Sequence, residues 1–502
     1  VRWVLETLWV LVVVLVPALG VWMSSSLAAY RNGPVWLAVV CGLLLFPVLP
    51  VAWELRARRR RARDKREPSN TFTTWDRVVL RTLAVNAAFM AALLACFPAA
   101  AFAALSTRGD WFLKGRGDEG AEQARRTLFA IAGGLEWLYR GVRRNPYDDL
   151  LERRAQGQPS PEPAPVAIAT AEPEPAPPSP EPPGRGRAVP SPQPPPEPRF
   201  SADGVPEWPL PARLHAAVVE LPPSAESSIA DVGRYLAGRE SNPWLRVKAL
   251  HDYVADRVAY DVESYRSGKF PPQDAQTVFR TRRSVCAGYA NLLAALGEAA
   301  GQEIVVIGGD ARSDGADLTG EGHAWNAARI GARWALVDAT WDAGNVKGDR
   351  FEKEYGTDYL FAPPEVQGVT HFPDEERWQL RPTPLSRGEF FRQPMMKAGF
   401  FAEGLELVSP DRSQVSVDGA LEIALRNPRQ RWLMADFEAQ PGGGPVPVSP
   451  DDRGRGDCAV DGGRTAVSCR FPAPGSYRVR LFAGARQYGH YTGVGELEAH
   501  SQ

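Results

Sequence analysis

The sequence predicts a multidomain chain: an N-terminal region of three transmembrane helices, an α+β domain in the middle, and a β-sandwich module at the end. Three observations predict it. Long apolar runs are confined to the first 105 residues, a proline-dense stretch follows them, and beyond it helical spacing of apolar residues gives way to strand-like alternation. At 502 residues the chain is too long for one compact core. Its 58 basic and 59 acidic side chains nearly cancel, which argues against a nucleic-acid partner. The five cysteines (Cys41, Cys96, Cys286, Cys458 and Cys469) show neither a disulfide framework nor zinc-ligand spacing, so no metal site and no cofactor is expected.

The first region, 1–105, is expected to be integral to the cell (inner) membrane. Trp3 to Met23 and Val35 to Trp53 are each apolar for about the length a bilayer core requires, and Val78 to Leu105 is long enough to tilt. Between the second and third runs lies "ELRARRRRARDKRE", within a basic loop at 54–76, whereas the loop before the second run carries only Arg31. Dense positive charge resists translocation, so the loop and the N-terminus are expected in the cytoplasm and everything after Leu105 outside. A cleaved signal peptide is the other reading of the first run, since Arg2 precedes it. Either way the remainder is extracytoplasmic.

Residues 106–155 read as a juxtamembrane segment with a helix over Ala121 to Arg144. Leu128, Ile131, Leu135, Leu138 and Val142 recur at helical spacing beside several arginines, which suits a lipid surface or packing against the spans or a partner. The Arg108–Asp110 "RGD" is read as chance. From 156 to 204 the composition becomes that of a disordered linker, with 17 prolines in the 40 residues from Pro159 to Pro198. In an extended polyproline form such a stretch spans on the order of 100 Å, a spacer between membrane and domain.

The domain at 205–383 opens with two amphipathic helices, Ser227 to Gly238 and Asn242 to Asp261. Then "SVCAGYANLLAAL" places Cys286 at the start of a third helix, directly after Arg282 and Arg283. Unpaired N–H groups at a helix N-terminus favour an anion, so a thiol there is better disposed to react than one in a core. Strands are expected at "EIVVIGG", "HAWNAARI", "RWALVDATW" and "DYLFA". His323 opens the second of these, and Asp338 lies on the next, across a turn pivoting on Gly331. A nucleophilic cysteine needs a base, and the base an orienting carboxylate, so the candidate catalytic residues are Cys286, His323 and Asp338. Asp342 is read as fixing a loop and His371 as structural. Trp325, Trp334 and Trp341 are read as core and cleft walls, and Gln273 and Gln276 as candidates for a second oxyanion donor.

"SVCAGYANLL" followed by "GHAWNAARIGARWALVDATWD" resembles the signature of the transglutaminase-like superfamily, whose fold is that of the papain-like thiol enzymes. "YLFAPPEVQGVTHFPDEERWQL" is similar to the segment that follows the triad in its kyphoscoliosis-peptidase branch. The resemblance implies a Cys-His-Asp triad at the three positions already named. It also implies an acyl-enzyme acting on protein or peptide amide bonds, resolved by water (peptidase or amidase) or by an amine (crosslinking transglutaminase). A non-catalytic binding scaffold using the same cleft is the reading of a different class.

From 384 to 502 apolar and polar residues alternate between Gly/Pro/Asp turns, and "PGSYRVRLFA" has the look of a late strand in an immunoglobulin-like sandwich. Cys458 and Cys469 flank a hairpin centred on Asp461–Gly463 and can be bonded across it in an oxidising compartment. This module reads as a contact for an envelope or cell-wall partner, as a contact for substrate, or as a support of the cleft, and the sequence leaves these open.

Overall fold

The computed structural model describes every residue except 1, 31–34, 64–72, 114–117, 137, 138, 140, 142–144, 148, 149, 151–196, 314–319, 441–454 and 502. The proline-rich stretch expected as a linker therefore lies outside the described residues. The chain divides into two compact units. One comprises Val1–Pro146, Gly308–His323 and Pro363–Gln502; the other comprises Tyr147–Ile307 and Ala324–Ala362.

Three helices of the first unit are long and apolar enough to cross a membrane: Trp9–Tyr30, Trp36–Arg61 and Thr74–Cys96. The first lies within α1 (Arg2–Tyr30). The second begins as α2 (Val35–Leu43), is interrupted around Pro47, where Phe46 leaves the helical region, and resumes as α3 (Leu49–Arg63). Proline lacks the N–H that would continue the ladder. Asn86 of α4 (Thr74–Cys96) answers this break, its Nδ2 donating to the Leu45 carbonyl at 3.3 Å and to the Thr82 carbonyl at 2.9 Å. Gly20 of α1 makes room for that amide, since a Cβ there would lie 2.0 Å from Asn86 Oδ1.

The third apolar run is not one helix to Leu105. Thr73 and Asp76 form a capping box that starts α4, which ends at Cys96; Pro98 then opens a separate helix, α5 (Pro98–Arg108), at a position where its missing N–H costs nothing. Asp110 is buried and accepts from Arg125 at 2.8 Å and from Arg412 at 2.9 Å, so the "RGD" is internal. The helix expected over 121–144 is interrupted: α6 (Glu119–Gly133), capped by Asp118, gives way to a turn at Gly134 and Leu135, and Glu136, Tyr139 and Gly141 are helical again, with the other residues from 137 to 144 outside the described ones.

The second unit is built around three helices: α7 (Ile229–Arg239), α8 (Pro243–Arg257) and α10 (Cys286–Ala299). A short helix, α9 (Ala275–Thr281), precedes the last of them. Their apolar faces meet in one core that includes Val232, Leu236, Leu250, Val254, Leu292 and Leu296, each fully buried. Strand β1 (Ile304–Ala311) leaves that core. It is followed by the hairpin β2 (Glu321–Ile330) and β3 (Arg333–Val337), whose antiparallel register pairs Asn326 with Val337 and Ile330 with Arg333. Gly331, at φ +61°, takes the left-handed position the tight turn requires. Asn326 fastens α10 to the strands, donating from Nδ2 to the carbonyls of Ala290 (3.0 Å) and Val305 (3.1 Å). The expected strand at "DYLFA" reduces to a single bridge between Leu360 and Val337.

The C-terminal part of the first unit is β-rich. A short strand, β4 (His371–Pro373), pairs with the Gly309–Ala311 end of β1. Beyond it two sheets enclose a shared core of Leu421, Ile423, Val467, Phe437, Tyr477, Val479 and Leu497. Alternating burial along Ala420–Arg426 and Gly475–Gly484 is what the alternating sequence predicts for strands with one covered face. Cys458 and Cys469 are disulfide-bonded, and Ala459 pairs with Ser468 on the hairpin between them.

Candidate active site

Cys286 is the first residue of α10, and no side chain caps the helix at Val285. The backbone there is held instead from outside: Gln273 Oε1 accepts from the Ser284 hydroxyl at 2.7 Å and from the Val285 N–H at 3.1 Å. The small residue in "CAGY" follows from this arrangement. A Cβ on Gly288 would sit 1.9 Å from Ser284 Oγ and 2.6 Å from Val278, so only glycine lets the helix pass under that bond. Gln273 is buried beside the thiol's helix, and its Nε2 donates to the Pro271 carbonyl at 2.9 Å; Gln276 is exposed. Gln273 thus holds the start of the helix through its oxygen, while its amide N–H is engaged by Pro271.

Arg282 and Arg283 are committed elsewhere. Arg283 pairs with Asp261 at 2.6 Å, and Arg282 pairs with Glu226 at 2.9 Å and bonds the Tyr253 hydroxyl at 2.7 Å. The helix end rather than these two charges is therefore the electropositive feature at the sulfur.

The thiol is not open to solvent. Cys286 is 1% exposed and clusters with Tyr147, Val285, Ala287, Ala290 and Ala324. The Tyr147 hydroxyl is held beside the Cys286 sulfur and the Tyr260 hydroxyl; burial first, and the neighbouring sulfur second, push the Tyr147 phenol well above its ordinary range. Sequence reading missed Tyr147, which lies 139 residues upstream of the cysteine in a segment with no motif.

His323 is the third residue of β2 and is buried. Its carbonyl accepts from Asn145 Nδ2 at 3.1 Å, and its ring lies 5.2 Å, centroid to centroid, from that of His371. His371 is oriented in turn by the Thr370 hydroxyl, 2.8 Å from its Nδ1. Asp338 follows β3 immediately instead of lying within it, 1% exposed, and Oδ1 accepts from the N–H groups of Thr340 (2.8 Å) and Trp341 (3.3 Å). Cys286 and Asp338 belong to one compact unit and His323 to the other, the division falling between His323 and Ala324.

Asp342 fixes a loop as expected: both its oxygens accept from the Tyr359 N–H, at 3.1 and 3.2 Å. It also reaches a buried polar network that the sequence reading did not find. His251 lies between Asp252 (2.9 Å to Nδ1) and Asp342 (3.1 Å to Nε2). Asp252 further receives Lys248 at 2.6 Å and the Tyr355 hydroxyl at 2.6 Å. Burial opposes charge on His251, but the two carboxylates outweigh it and hold the imidazole up at about 9. The signal was present in α8, where Lys248, His251 and Asp252 interrupt an otherwise apolar buried face.

Comparison with known proteins places these residues in context. Residues 230–339 match the model of the transglutaminase-like superfamily, a span that contains Cys286, His323 and Asp338. Over 193 residues the chain is 31% identical to the mouse (Mus musculus) kyphoscoliosis peptidase and 29% identical to the human (Homo sapiens) protein, a stretch covering 36% of this chain. The aligned stretch spans only 29% of the length of either relative. A crystal structure of a TGase aligns at 20% identity and a TM-score of 0.20, covering 25% of this chain and 33% of that one. Residues 230–339 are thus a transglutaminase-like domain, and the central stretch of the chain is similar in sequence to the kyphoscoliosis peptidases.

Proposed function

We propose that this chain is a membrane-anchored, extracytoplasmic cysteine hydrolase acting on protein or peptide amide bonds, with Cys286 as nucleophile, His323 as general base and acid, and Asp338 as the group that orients the imidazole. The observation that carries the reading is a cysteine at the first position of an uncapped helix, inside a family-matched span that also holds a histidine and an aspartate on one hairpin.

In this mechanism the sulfur attacks the substrate carbonyl carbon while its proton passes to His323. The C–N bond breaks as that proton moves to the leaving amine, and water, deprotonated by His323, then cleaves the C–S bond of the acyl-enzyme. The N–H groups of the first helical turn stabilise the oxyanion. The three apolar helices supply the anchor. The density of arginine at 54–76 supports a cytoplasmic placement of that loop, and the Cys458–Cys469 bond supports an oxidising compartment for the β-rich part.

Mass spectrometry of membrane and envelope fractions from cells carrying wild-type or Cys286→Ala protein tests the reading. New peptide termini present only with the wild-type chain are the expected result. New isopeptide links in their place mean transfer to an amine, and identical profiles from the two strains refute catalysis.

A further inference from the structure

Four guanidiniums gather on one carboxylate where α3 and α4 come together. Glu54 of α3 is buried, its side chain only 3% exposed. Arg58 and Arg61 reach it from the same face of its own helix, at 3.1 and 3.0 Å. Arg77 and Arg81 approach it from α4 at 3.6 and 2.6 Å and are themselves largely covered. Asp76, next to Arg77 in the chain, is exposed and held in the Thr73 cap. One negative charge therefore serves four positive ones. Charges so close repel strongly wherever water is scarce, and the excess calls for a second anion. Arg58 and Arg61 are partly exposed, so the group opens outward. Arg56 and Arg60, by contrast, stand exposed on the other face of α3 as ordinary solvated charges.

The surroundings say which anion. The Arg81 guanidinium lies over the Trp53 ring, 5.4 Å from its centroid, and Trp53 and Trp75 are both exposed. Indole rings favour the boundary between hydrocarbon and water, the depth at which lipid phosphates lie. Val51 and Leu80, one turn further into the apolar helices, are exposed too and offer an acyl chain an apolar surface. Guanidiniums pair with phosphate through parallel hydrogen bonds, and a basic pocket between membrane helices suits a lipid headgroup. We infer that this corner of α3 and α4 binds the phosphate of an anionic lipid, with Arg58, Arg61, Arg77 and Arg81 as donors and Glu54 as the spacer between them. A free phosphate ion would leave the apolar neighbours uncovered, so the lipid is the occupant the site fits. The site rests on the reading of these helices as a membrane anchor; it is independent of which leaflet it faces and of the chemistry at Cys286.

The test titrates the full-length chain in detergent with dioleoyl phosphatidylglycerol or dioleoyl phosphatidylcholine and counts bound lipid by native mass spectrometry. The first phosphatidylglycerol is expected to bind at least about tenfold more tightly than phosphatidylcholine, whose choline the arginines repel. Each arginine near an anionic headgroup is worth roughly fivefold, so Arg77→Gln/Arg81→Gln is expected to weaken phosphatidylglycerol about tenfold or more. Arg56→Gln/Arg60→Gln removes the same charge from the other face and is expected to change the affinity by less than about threefold. Equal losses in the two double variants mean diffuse attraction and overturn the site, as does equal affinity for the two lipids. Millimolar inorganic phosphate is expected to leave phosphatidylglycerol in place; complete displacement makes this a free-anion site and overturns the lipid assignment. If Arg77→Gln/Arg81→Gln does not fold, Arg58→Gln/Arg61→Gln carries the test with the same expected loss, and an unchanged affinity there is fatal. Partition of the wild-type chain into the aqueous phase of a Triton X-114 extraction defeats the anchor reading itself, whereas a detergent-phase chain without lipid preference defeats only the site.

Discussion

Raising the pH from 6 to 8 is expected to loosen the central domain through one buried imidazole. His251 is fully enclosed between Asp252 and Asp342, and its folded value of about 9 stands against an ordinary value of 6.5. A group held above its unfolded value stabilises the fold fully below the unfolded value and loses that contribution as pH climbs through the folded one. The difference corresponds to on the order of 3 kcal/mol at low pH, of which about 2 kcal/mol is lost between pH 6 and pH 8. Full burial removes solvent screening as a discount. Of the other groups in the network, Asp252 is held low, against its burial, by His251 and Lys248. Asp342 is raised from a carboxylate's ordinary value by burial, against the hydrogen bond from His251. Lys353, pushed down to about 8 by burial, acts in the opposite sense and offsets a small part of the loss by pH 8. Hydrogen exchange read by mass spectrometry on the peptide 243–257, corrected for intrinsic rates, is the assay. Protection is expected to fall about 30-fold from pH 6 to 8 in the wild-type chain and to stay flat in His251→Gln. Parallel profiles for the two proteins, or protection that rises with pH, would refute the argument that the imidazole is held charged by its two carboxylates.

Three further outcomes follow from the geometry. Gly288→Ala drives a methyl into Ser284 Oγ and Val278, so a loss of about 1–3 kcal/mol in thermal or urea unfolding is expected. A variant as stable as wild type would mean the Gln273–Ser284 bond is dispensable. Alkylation under denaturing, non-reducing conditions is expected to label three cysteines, Cys41, Cys96 and Cys286. The double variant Cys458→Ser/Cys469→Ser is expected to unfold its β-rich region with about 2–4 kcal/mol less stability, measured by proteolysis across a urea series.

How much of this was legible in the sequence depended on the range of the interactions involved. Cys286, the β2–β3 hairpin and the turn at Gly331 were readable because local signals set them: a helical run, two alternating stretches and a glycine at the one position needing positive φ. The break at Phe97–Pro98 was also written locally, but apolar length masked it, since a hydropathy run does not register a lost N–H. The end of β3 at Val337 depended on Asp338 turning its carboxylate back to the Thr340 and Trp341 N–H groups, which competes with strand pairing. Arg282 and Arg283 looked like neighbours of the thiol, yet acids 22 and 56 residues away claim them. Tyr147 was out of reach for the same reason, as was the Asp342 partner of His251, although the polar breaks in α8 were visible: each contact is one that only tertiary folding delivers.

The amide of Asn86 has a consequence for how the three apolar helices hold together. It sits on α4, serves a carbonyl left open where Phe46 departs from helical geometry in the second helix, and lies against a glycine of the first. Hydrocarbon offers no water to take over that carbonyl, so turning any one helix about its axis would strand a polar group in lipid. In a bilayer the three helices would therefore be keyed together like tumblers in a lock, held at that one amide.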